Sequence, residues 1–204
     1  MSAAFPVAVL ASGTGTNLQA ILDRLHGREV EVVGVASDKA GAVALGRAEA
    51  AGVPTAVFPL AEHPDREARD VAMADWVEAQ GARLVVLAGY MAILTGPFVR
   101  RFAGRLVNVH PSLLPAFPGI RAVEQALDHG VKVFGVTVHL VDEGVDTGPI
   151  LLQRALELPA ARSGEEVREA LRPLEHDLLT DAVRAFAAGR VRPDEGHPRR
   201  WLTG

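Results

Sequence analysis

An amide and an imidazole lie two residues apart at the end of an apolar, strand-like run. The run Leu106-Val107 leads into Asn108 and His110, and Pro111 then removes a backbone donor and ends regular strand pairing. Because side chains at i and i+2 of a strand point to the same face, Asn108 and His110 can meet one small substrate. An amide can hold an oxyanion and an imidazole can move a proton, so the pair predicts carbonyl chemistry.

A carboxylate is available to this pair from a later loop. Asp146 lies in a segment rich in Gly and Asp that we expect to reach the same edge of the sheet. A carboxylate beside an imidazole favours the imidazolium form and fixes the orientation of the ring. The alternative is that Asp146 is an ordinary turn residue and His110 an ordinary core or surface histidine, because Asp and Gly are well suited to turns.

The first predicted strand runs into a glycine-rich turn and then into a helix. Residues 12–17 read Ser-Gly-Thr-Gly-Thr-Asn, and a turn of this kind at a helix N-terminus favours an anion. The third glycine of a dinucleotide fingerprint would fall at Leu18, and the Gly-Lys pair of a Walker A loop is missing. A single phosphate is therefore the favoured ligand. The alternative is an ordinary β-to-α turn capped by Thr16 or Asn17.

Composition and motif spacing disfavour several other classes of protein. The formal net charge of −4 argues against nucleic acid as the main partner. Without cysteine there are no disulfides, thiolate zinc sites or cysteine nucleophiles. No histidine cluster has metal-ligand spacing, and no G-x-S-x-G elbow suggests a serine hydrolase. The longest uncharged run, 84–99, is too short and too broken to span a membrane, and the first six residues do not resemble a signal peptide, so we expect a cytoplasmic protein.

The order of predicted elements indicates an α/β fold. Strands at 6–11, 30–36, 55–58 and 84–87 alternate with helices at 17–25, 43–51 and 66–80, which predicts βαβ units and a mostly parallel sheet with helices on both faces. The second half predicts a strand at 106–110, a helix at 122–128, and strands at 131–140 and 149–156 joined by a functional loop. The run of apolar residues at 89–94 could line a pocket for a flat ring or could simply pack in the core.

A long final helix is predicted from Ser163, which forms a capping box with Glu166, to a stop at Gly189. Pro173 should kink or restart this helix. We expect one domain over 1–189, followed by a loosely packed surface tail over 190–204.

Three motifs in this order resemble those of one enzyme family. They are Ser-Gly-x-Gly-x-Asn-Leu-Gln-Ala at 12–20, Asn-Val-His-Pro-Ser-Leu-Leu-Pro at 108–115, and Gly-x-Thr-Val-His at 135–139 followed by Asp-x-Gly-Pro at 146–149. From about Val7 to Phe186 the chain resembles the phosphoribosylglycinamide formyltransferases, which are folate-dependent enzymes of purine synthesis. The Asn-x-His and Asp set is shared with other 10-formyltetrahydrofolate enzymes, and the N-terminal loop is the motif that points to this family.

The resemblance implies a formyltransferase fold with a Rossmann-like N-terminal half, and it implies a reaction. The formyl group of the co-substrate 10-formyltetrahydrofolate would pass to the amine of 5-phosphoribosylglycinamide in de novo purine biosynthesis, giving the N-formyl product and tetrahydrofolate. No metal, nucleic acid or membrane is implied as a partner, and a homodimer is left open. The family often has a basic residue at position 92, where this chain has Ala.

The resemblance also assigns roles to matching positions. The implied catalytic residues are Asn108, His110 and Asp146. The implied nucleotide-binding residues are Gly13, Thr14, Gly15, Thr16, Asn17 and Glu175. The implied folate-binding residues are Arg66, Met91, Ala92, Ile93, Leu94, Val141, Asp142, Glu143, Gly144 and Val145.

Three alternative functions remain at this point. A 10-formyltetrahydrofolate hydrolase would use the same catalytic trio with water as the acceptor, but such enzymes usually carry an N-terminal regulatory domain, for which we expect no room before Pro6. Methionyl-tRNA formyltransferase normally adds a C-terminal RNA-binding domain, which we do not expect after Gly189. A non-catalytic sensor of a sugar phosphate or nucleotide would keep the glycine loop and would not need the trio.

Overall fold

The computed structural model describes residues 4–204. Contacts between Cα atoms divide the chain into two compact units, with the boundary between Val107 and Asn108. The prediction about a signal peptide involves residues 1–3, which lie outside the described residues. The single domain over 1–189 stays a prediction, because the division into compact units does not test whether the two fold together.

The first unit alternates strands and helices, as predicted. In chain order its elements are β1 (Phe5–Leu10), α1 (Thr16–Arg24), β2 (Val30–Ser37), α2 (Val43–Ala50), β3 (Thr55–Val57), α3 (Arg66–Ala79), β4 (Leu84–Leu87) and α4 (Gly96–Arg101). Strand β1 pairs in parallel with β2 and β4, and β2 pairs in parallel with β3. The predicted βαβ units are therefore confirmed.

Strands β1 and β4 read as continuous apolar runs because both of their faces are covered. All four residues of β4 are buried, and residues 7–10 of β1 are completely buried. Helix α3 begins after Asp65, whose carboxylate accepts a hydrogen bond from the backbone N–H of Ala68 at 2.8 Å. This cap fixes the start of the helix and so the place from which Arg66 projects.

The second unit has a different order of elements. They are β5 (Leu106–His110), whose first two residues precede the boundary, α5 (Ala122–Asp128), β6 (Val133–Leu140), β7 (Ile150–Glu157), α6 (Gly164–Ala187), β8 (Arg192–Asp194) and β9 (His197–Leu202). Strands β6 and β7 pair antiparallel. The strand order in the mostly parallel seven-stranded sheet is β3-β2-β1-β4-β5-β6-β7, so the antiparallel strand β7 lies at one edge.

Helix α6 continues through Pro173, so of the kink or restart predicted there the restart is wrong and the kink stays a prediction. The helix contacts β6 and β7, and its buried residues extend from Val167 to Ala185, so this burial outweighs the single hydrogen bond that a proline removes. The predicted start is confirmed, because the Ser163 hydroxyl accepts from the N–H of Glu166 at 3.2 Å. Gly189, with φ of 67°, follows the end of the helix as predicted.

Helix α4 and the C-terminal hairpin were not predicted. Helix α4 has only six residues, which is too short to show a helical period in the sequence. The C-terminal tail contains an antiparallel hairpin of β8 and β9, and β9 lies against β7. Its sequence, rich in Arg and Pro, shows no clear alternation of apolar and polar residues, and alternation is the signal of a half-buried strand.

Candidate active site

Asn108 and His110 lie at the carboxyl end of β5, and the structure brings both to Asp146. His110 is the last residue of the strand and only 5% exposed, whereas Asn108 is partly exposed. The Nδ2 amide of Asn108 donates to Oδ1 of Asp146 at 3.3 Å, and Nδ1 of His110 lies 3.3 Å from Oδ2. The three residues that the sequence separates by up to 38 positions therefore form one cluster.

The carboxylate of Asp146 is the centre of this cluster. Its Oδ2 also accepts a hydrogen bond from the backbone N–H of Gly119 at 2.7 Å, and its Oδ1 lies 3.4 Å from Nε2 of His139. Burial raises the pKa of the carboxyl group, but the hydrogen bonds from His139 and Gly119 and the charges of His110 and His139 outweigh burial and lower this pKa to about 2. At neutral pH the cluster is therefore built around a fixed anion.

Both ring nitrogens of His110 face acceptors. Nε2 lies 2.9 Å from the carbonyl oxygen of Phe117, and Nδ1 faces the carboxylate of Asp146. Carbonyl and carboxylate oxygens only accept hydrogen bonds, so both contacts are favourable only when both nitrogens carry a proton. The two contacts therefore suit a ring that donates from both nitrogens.

His139 is a member of the cluster that the sequence analysis missed. It is buried on β6, and its Nε2 lies 3.3 Å from Nδ2 of Asn108 and 3.4 Å from Oδ1 of Asp146. Its Nδ1 lies 2.8 Å from the carbonyl of Leu140, which places a proton on Nδ1. A signal was present, because His139 and Thr137 are polar residues at i and i+2 of a strand whose other positions are apolar or Gly.

The loop between β5 and α5 supplies two backbone groups to the cluster. The carbonyl of Phe117 faces His110, and the N–H of Gly119 binds Asp146. Phe117 has φ of 53°, a conformation that is uncommon for a bulky residue and has to be held by its surroundings. The position of this loop therefore decides how the side chains of His110 and Asp146 are oriented.

A buried threonine holds the start of that loop. The Thr137 hydroxyl donates to the carbonyl of Ser112 at 2.7 Å and accepts from the N–H of Leu114 at 3.1 Å. Gln153 of β7 donates from Nε2 to the same hydroxyl at 2.9 Å and to the carbonyl of Leu114 at 2.8 Å. The loop also requires Gly135, because a Cβ atom there would collide with the Leu113 side chain and lie 2.7 Å from the backbone carbonyl oxygen of Arg154.

The loop that carries Asp146 is fixed on both sides of that residue. Asp146 itself has φ of 53°, which Asp tolerates better than most residues. The carboxylate of Asp142 accepts from the N–H of Gly144 at 3.1 Å and from the hydroxyl of Thr147 at 2.6 Å. Arg199 of β9 donates to the carbonyl of Thr147 at 2.6 Å, so the C-terminal hairpin supports the active-site loop.

The predicted phosphate-binding loop lies in the first unit. Gly15, with φ of 71°, is the N-cap of α1, so neither Thr16 nor Asn17 caps the helix, and no side-chain oxygen makes a capping bond. A Cβ atom on Gly15 would lie 2.7 Å from Cα of Ala44, so only glycine fits. A helix start with no acidic residue in its first turn and no side-chain cap suits an anion.

The first predicted folate-binding segment, 91–94, is an irregular stretch of the same unit. The side chains of Met91 and Ile93 are 65% and 63% exposed, and those of Ala92 and Leu94 are partly exposed, so simple core packing does not describe this segment. Arg66 donates from Nη2 to the carbonyl of Ile93 at 2.8 Å. Its predicted role near the folate therefore includes support of the segment itself.

The remaining predicted residues lie in the second unit. The second folate-binding segment, Val141 to Val145, is partly or fully exposed, and Val145 is 53% exposed. Glu175 lies on α6 and is partly exposed. Ligand contacts of these residues stay predictions. Among residues 4–204, no group of three or more His, Asp or Glu side chains is arranged to hold a metal ion, and no helix has the length and apolar character needed to cross a membrane.

Known proteins resemble this chain over nearly its whole length. The formyl transferase family matches residues 6–183. The phosphoribosylglycinamide formyltransferase of Mycobacterium tuberculosis is 46% identical over 191 residues, which cover 93% of this chain and 88% of that protein. The crystal structure of glycinamide ribonucleotide transformylase 1 from Symbiobacterium toebii is 45% identical, with a TM-score of 0.93, and the match covers 99% of this chain and 95% of that one.

Some relatives are much longer than this chain. The trifunctional purine biosynthetic protein adenosine-3 of Bos taurus is 44% identical over 199 residues, which cover 97% of this chain but only 20% of that protein. The chain spans a fifth or less of the length of the proteins of this name from Bos taurus, two Drosophila species and Gallus gallus. The family match and the relatives of similar length show that the chain belongs to the formyl transferase family and, within it, to the phosphoribosylglycinamide formyltransferases.

Proposed function

We propose that this chain transfers the formyl group of 10-formyltetrahydrofolate to the primary amine of 5-phosphoribosylglycinamide, giving the N-formyl product and tetrahydrofolate in de novo purine biosynthesis. The observation that carries the proposal is the cluster of Asn108, His110 and Asp146 around an ionised carboxylate. The names of the full-length relatives support the choice of acceptor.

The chemistry requires stabilisation of a tetrahedral intermediate. The amine attacks the formyl carbon, and the formyl oxygen becomes an oxyanion, which the Asn108 amide and the His110 imidazolium stabilise. In the structure Nε2–H of His110 donates to the carbonyl of Phe117, and the oxyanion is a second acceptor for the same N–H. The ring therefore does not have to turn to meet the oxyanion.

The intermediate collapses when the folate nitrogen leaves. A proton must move from the attacking amine to that nitrogen, through His110, Asp146 or an ordered water. Because the pKa of Asp146 is about 2, its carboxylate is ionised and a weak proton acceptor at neutral pH, which favours a role as the anion that holds His110 in its imidazolium form.

The two substrates are assigned to separate segments. The phosphate of the nucleotide binds at the turn from Gly13 to Asn17, and Glu175 contacts the rest of this substrate. The folate is bound by Arg66, by Met91 to Leu94 and by Val141 to Val145. Position 92 is Ala, so its backbone is left as the group that contacts the folate there. We place the enzyme in the cytoplasm, with these two small molecules as its partners.

One assay tests the proposed function. The protein is mixed with 10-formyltetrahydrofolate, with and without 5-phosphoribosylglycinamide, and the loss of the formyl group from the folate is followed. Turnover that requires the nucleotide is the expected result. Turnover without it would identify a hydrolase, and no turnover in either mixture would favour a non-catalytic sensor. The His110→Ala variant serves as the control for a contaminating activity, because its turnover has to fall by roughly 10²- to 10³-fold if the observed turnover belongs to this chain.

A further inference from the structure

Ser12 connects the two predicted ligand-binding segments of the first unit. It is the residue before the phosphate loop and is only 6% exposed. Its backbone N–H donates to the carbonyl of Gly89 at 3.1 Å, and its Oγ accepts from the backbone N–H of Met91 at 2.8 Å. The hydroxyl proton goes to Oδ1 of Asp38 at 2.5 Å, so the hydroxyl has both a donor and an acceptor.

Side chains of α3 hold the folate segment at one further point and hold the residue after the segment at another. Arg66 donates to the carbonyl of Ile93 at 2.8 Å, and Oδ2 of Asp70 accepts from the N–H of Thr95 at 2.6 Å. Asp70 is completely buried and forms an ion pair with Arg69 at 2.6 Å, so it is a rigid anchor. Side chains thus hold backbone groups at 91, 93 and 95, and of these three points only Met91 is held by a residue adjacent to the phosphate loop.

The phosphate loop is tied to α2 on its other side. The N–H of Ala44 donates to the carbonyl of Gly13 at 3.1 Å, and Nε of Arg47 donates to the carbonyl of Thr14 at 2.8 Å. With Ser12 held by Gly89 and Met91 and the next two carbonyls held by α2, the loop has little freedom to shift without moving Ser12. A shift of Ser12 changes its hydrogen bond to Met91, because the two atoms are in direct contact.

We propose that Ser12 is a positioning residue that couples the binding of the nucleotide phosphate to the binding of the folate. This inference rests on the proposed function. A phosphate that fixes the loop also fixes the Ser12 hydroxyl, and a fixed hydroxyl holds the Met91 end of the folate segment. The coupling is favourable and reciprocal, so each ligand tightens the binding of the other by the same factor.

Tetrahydrofolate and 5-phosphoribosylglycinamide test the coupling without turnover, because neither carries a formyl group. The dissociation constant of tetrahydrofolate is measured by calorimetry with and without saturating nucleotide. In the unchanged protein we expect the nucleotide to lower this constant at least about fivefold, the lower end of typical coupling. In Ser12→Ala we expect the ratio of the two constants to fall close to one. Asp38→Ala removes the acceptor of the Ser12 hydroxyl and should lower the ratio in the same direction.

Arg66→Ala is the matched control. It releases the folate segment at Ile93 without touching Ser12, so tetrahydrofolate should bind more weakly in both conditions while the ratio stays unchanged. A ratio of one in the unchanged protein overturns the proposal, and so does an unchanged ratio in Ser12→Ala or, if that variant does not fold, in Asp38→Ala. If the unchanged protein binds neither ligand, it is the proposed function that fails, and the coupling fails with it.

Discussion

Nδ1 of His110 and Oδ2 of Asp146 lie 3.3 Å apart, although the residues come from the end of a strand and from a loop 36 positions later. Oδ2 is held by the N–H of Gly119 as well, and Oδ1 by Asn108 and His139. Four groups thus converge on a carboxylate that is 13% exposed. A buried anion with this many donors is fixed in place and charged, which is what an imidazolium partner requires.

The low pKa of Asp146 predicts a specific dependence of stability on pH. Because the pKa of its carboxyl is lowered from 3.8 to about 2 in the folded protein, its stabilising contribution is complete above about pH 4 and is lost as the pH falls towards 2. The full contribution is roughly 2 kcal/mol. Urea unfolding at pH 6 and at pH 3 should show that the protein loses more stability on acidification than its Asp146→Asn variant. Equal losses in the two proteins would contradict the prediction.

Removal of either oxyanion donor should abolish most of the activity and leave the fold intact. We expect Asn108→Ala and His110→Ala each to lower kcat by roughly 10²- to 10³-fold, the usual effect of losing one oxyanion donor. Steady-state kinetics and thermal unfolding of the same samples measure the two effects. His197→Ala, which changes an exposed histidine of β9, is the control and should keep normal kinetics. Near-normal kcat in His110→Ala or Asn108→Ala would remove that residue from the mechanism.

The phosphate loop can be tested at Gly13, where the folded chain leaves free space for a side chain. A Cβ atom at Gly13 meets no other atom within 4 Å, so Gly13→Ala should leave the free energy of unfolding within about 0.5 kcal/mol of its original value. A bound phosphate would meet this methyl group, so we expect a higher KM for the nucleotide and an unchanged kcat. Gly46→Ala in α2 also has free space and serves as the control. Equal nucleotide KM values in both variants would argue against a phosphate at this turn.

Thr137 should affect both stability and catalysis, because its hydroxyl holds the loop that orients His110 and Asp146. In Thr137→Val the carbonyl of Ser112, the N–H of Leu114 and one hydrogen of Gln153 lose their partner, which costs about 1–3 kcal/mol for each group left unsatisfied. We expect lower stability in urea unfolding and a lower kcat. Thr137→Ser keeps the hydroxyl and should retain most of the kcat. If Val and Ser variants have the same kcat, the hydroxyl does not position the loop.

Much of the fold could be predicted because many of its helices and strands have clear local sequence patterns. Strand β4 and helix α5 have the predicted ends, since a buried apolar run and a short amphipathic stretch are both flanked by Gly, Pro or charged residues. The hairpin at 192–202 could not be predicted. Its stability comes from the pairing of β8 with β9 and from contact with β7, and neither leaves a periodic pattern in the sequence.

For the candidate active site, the residue types alone indicate which chemical groups are available. The i, i+2 spacing of Asn108 and His110 on a strand fixes their common face through backbone geometry alone. Tertiary contacts bring Asp146 to His110, add His139 to the cluster, and place the carbonyl of Phe117 at the other nitrogen of the His110 ring. These contacts depend on the paths of loops, and long-range hydrogen bonds such as those of Thr137 set those paths. Because the bonded residues are far apart in the sequence, no local pattern predicts the bonds.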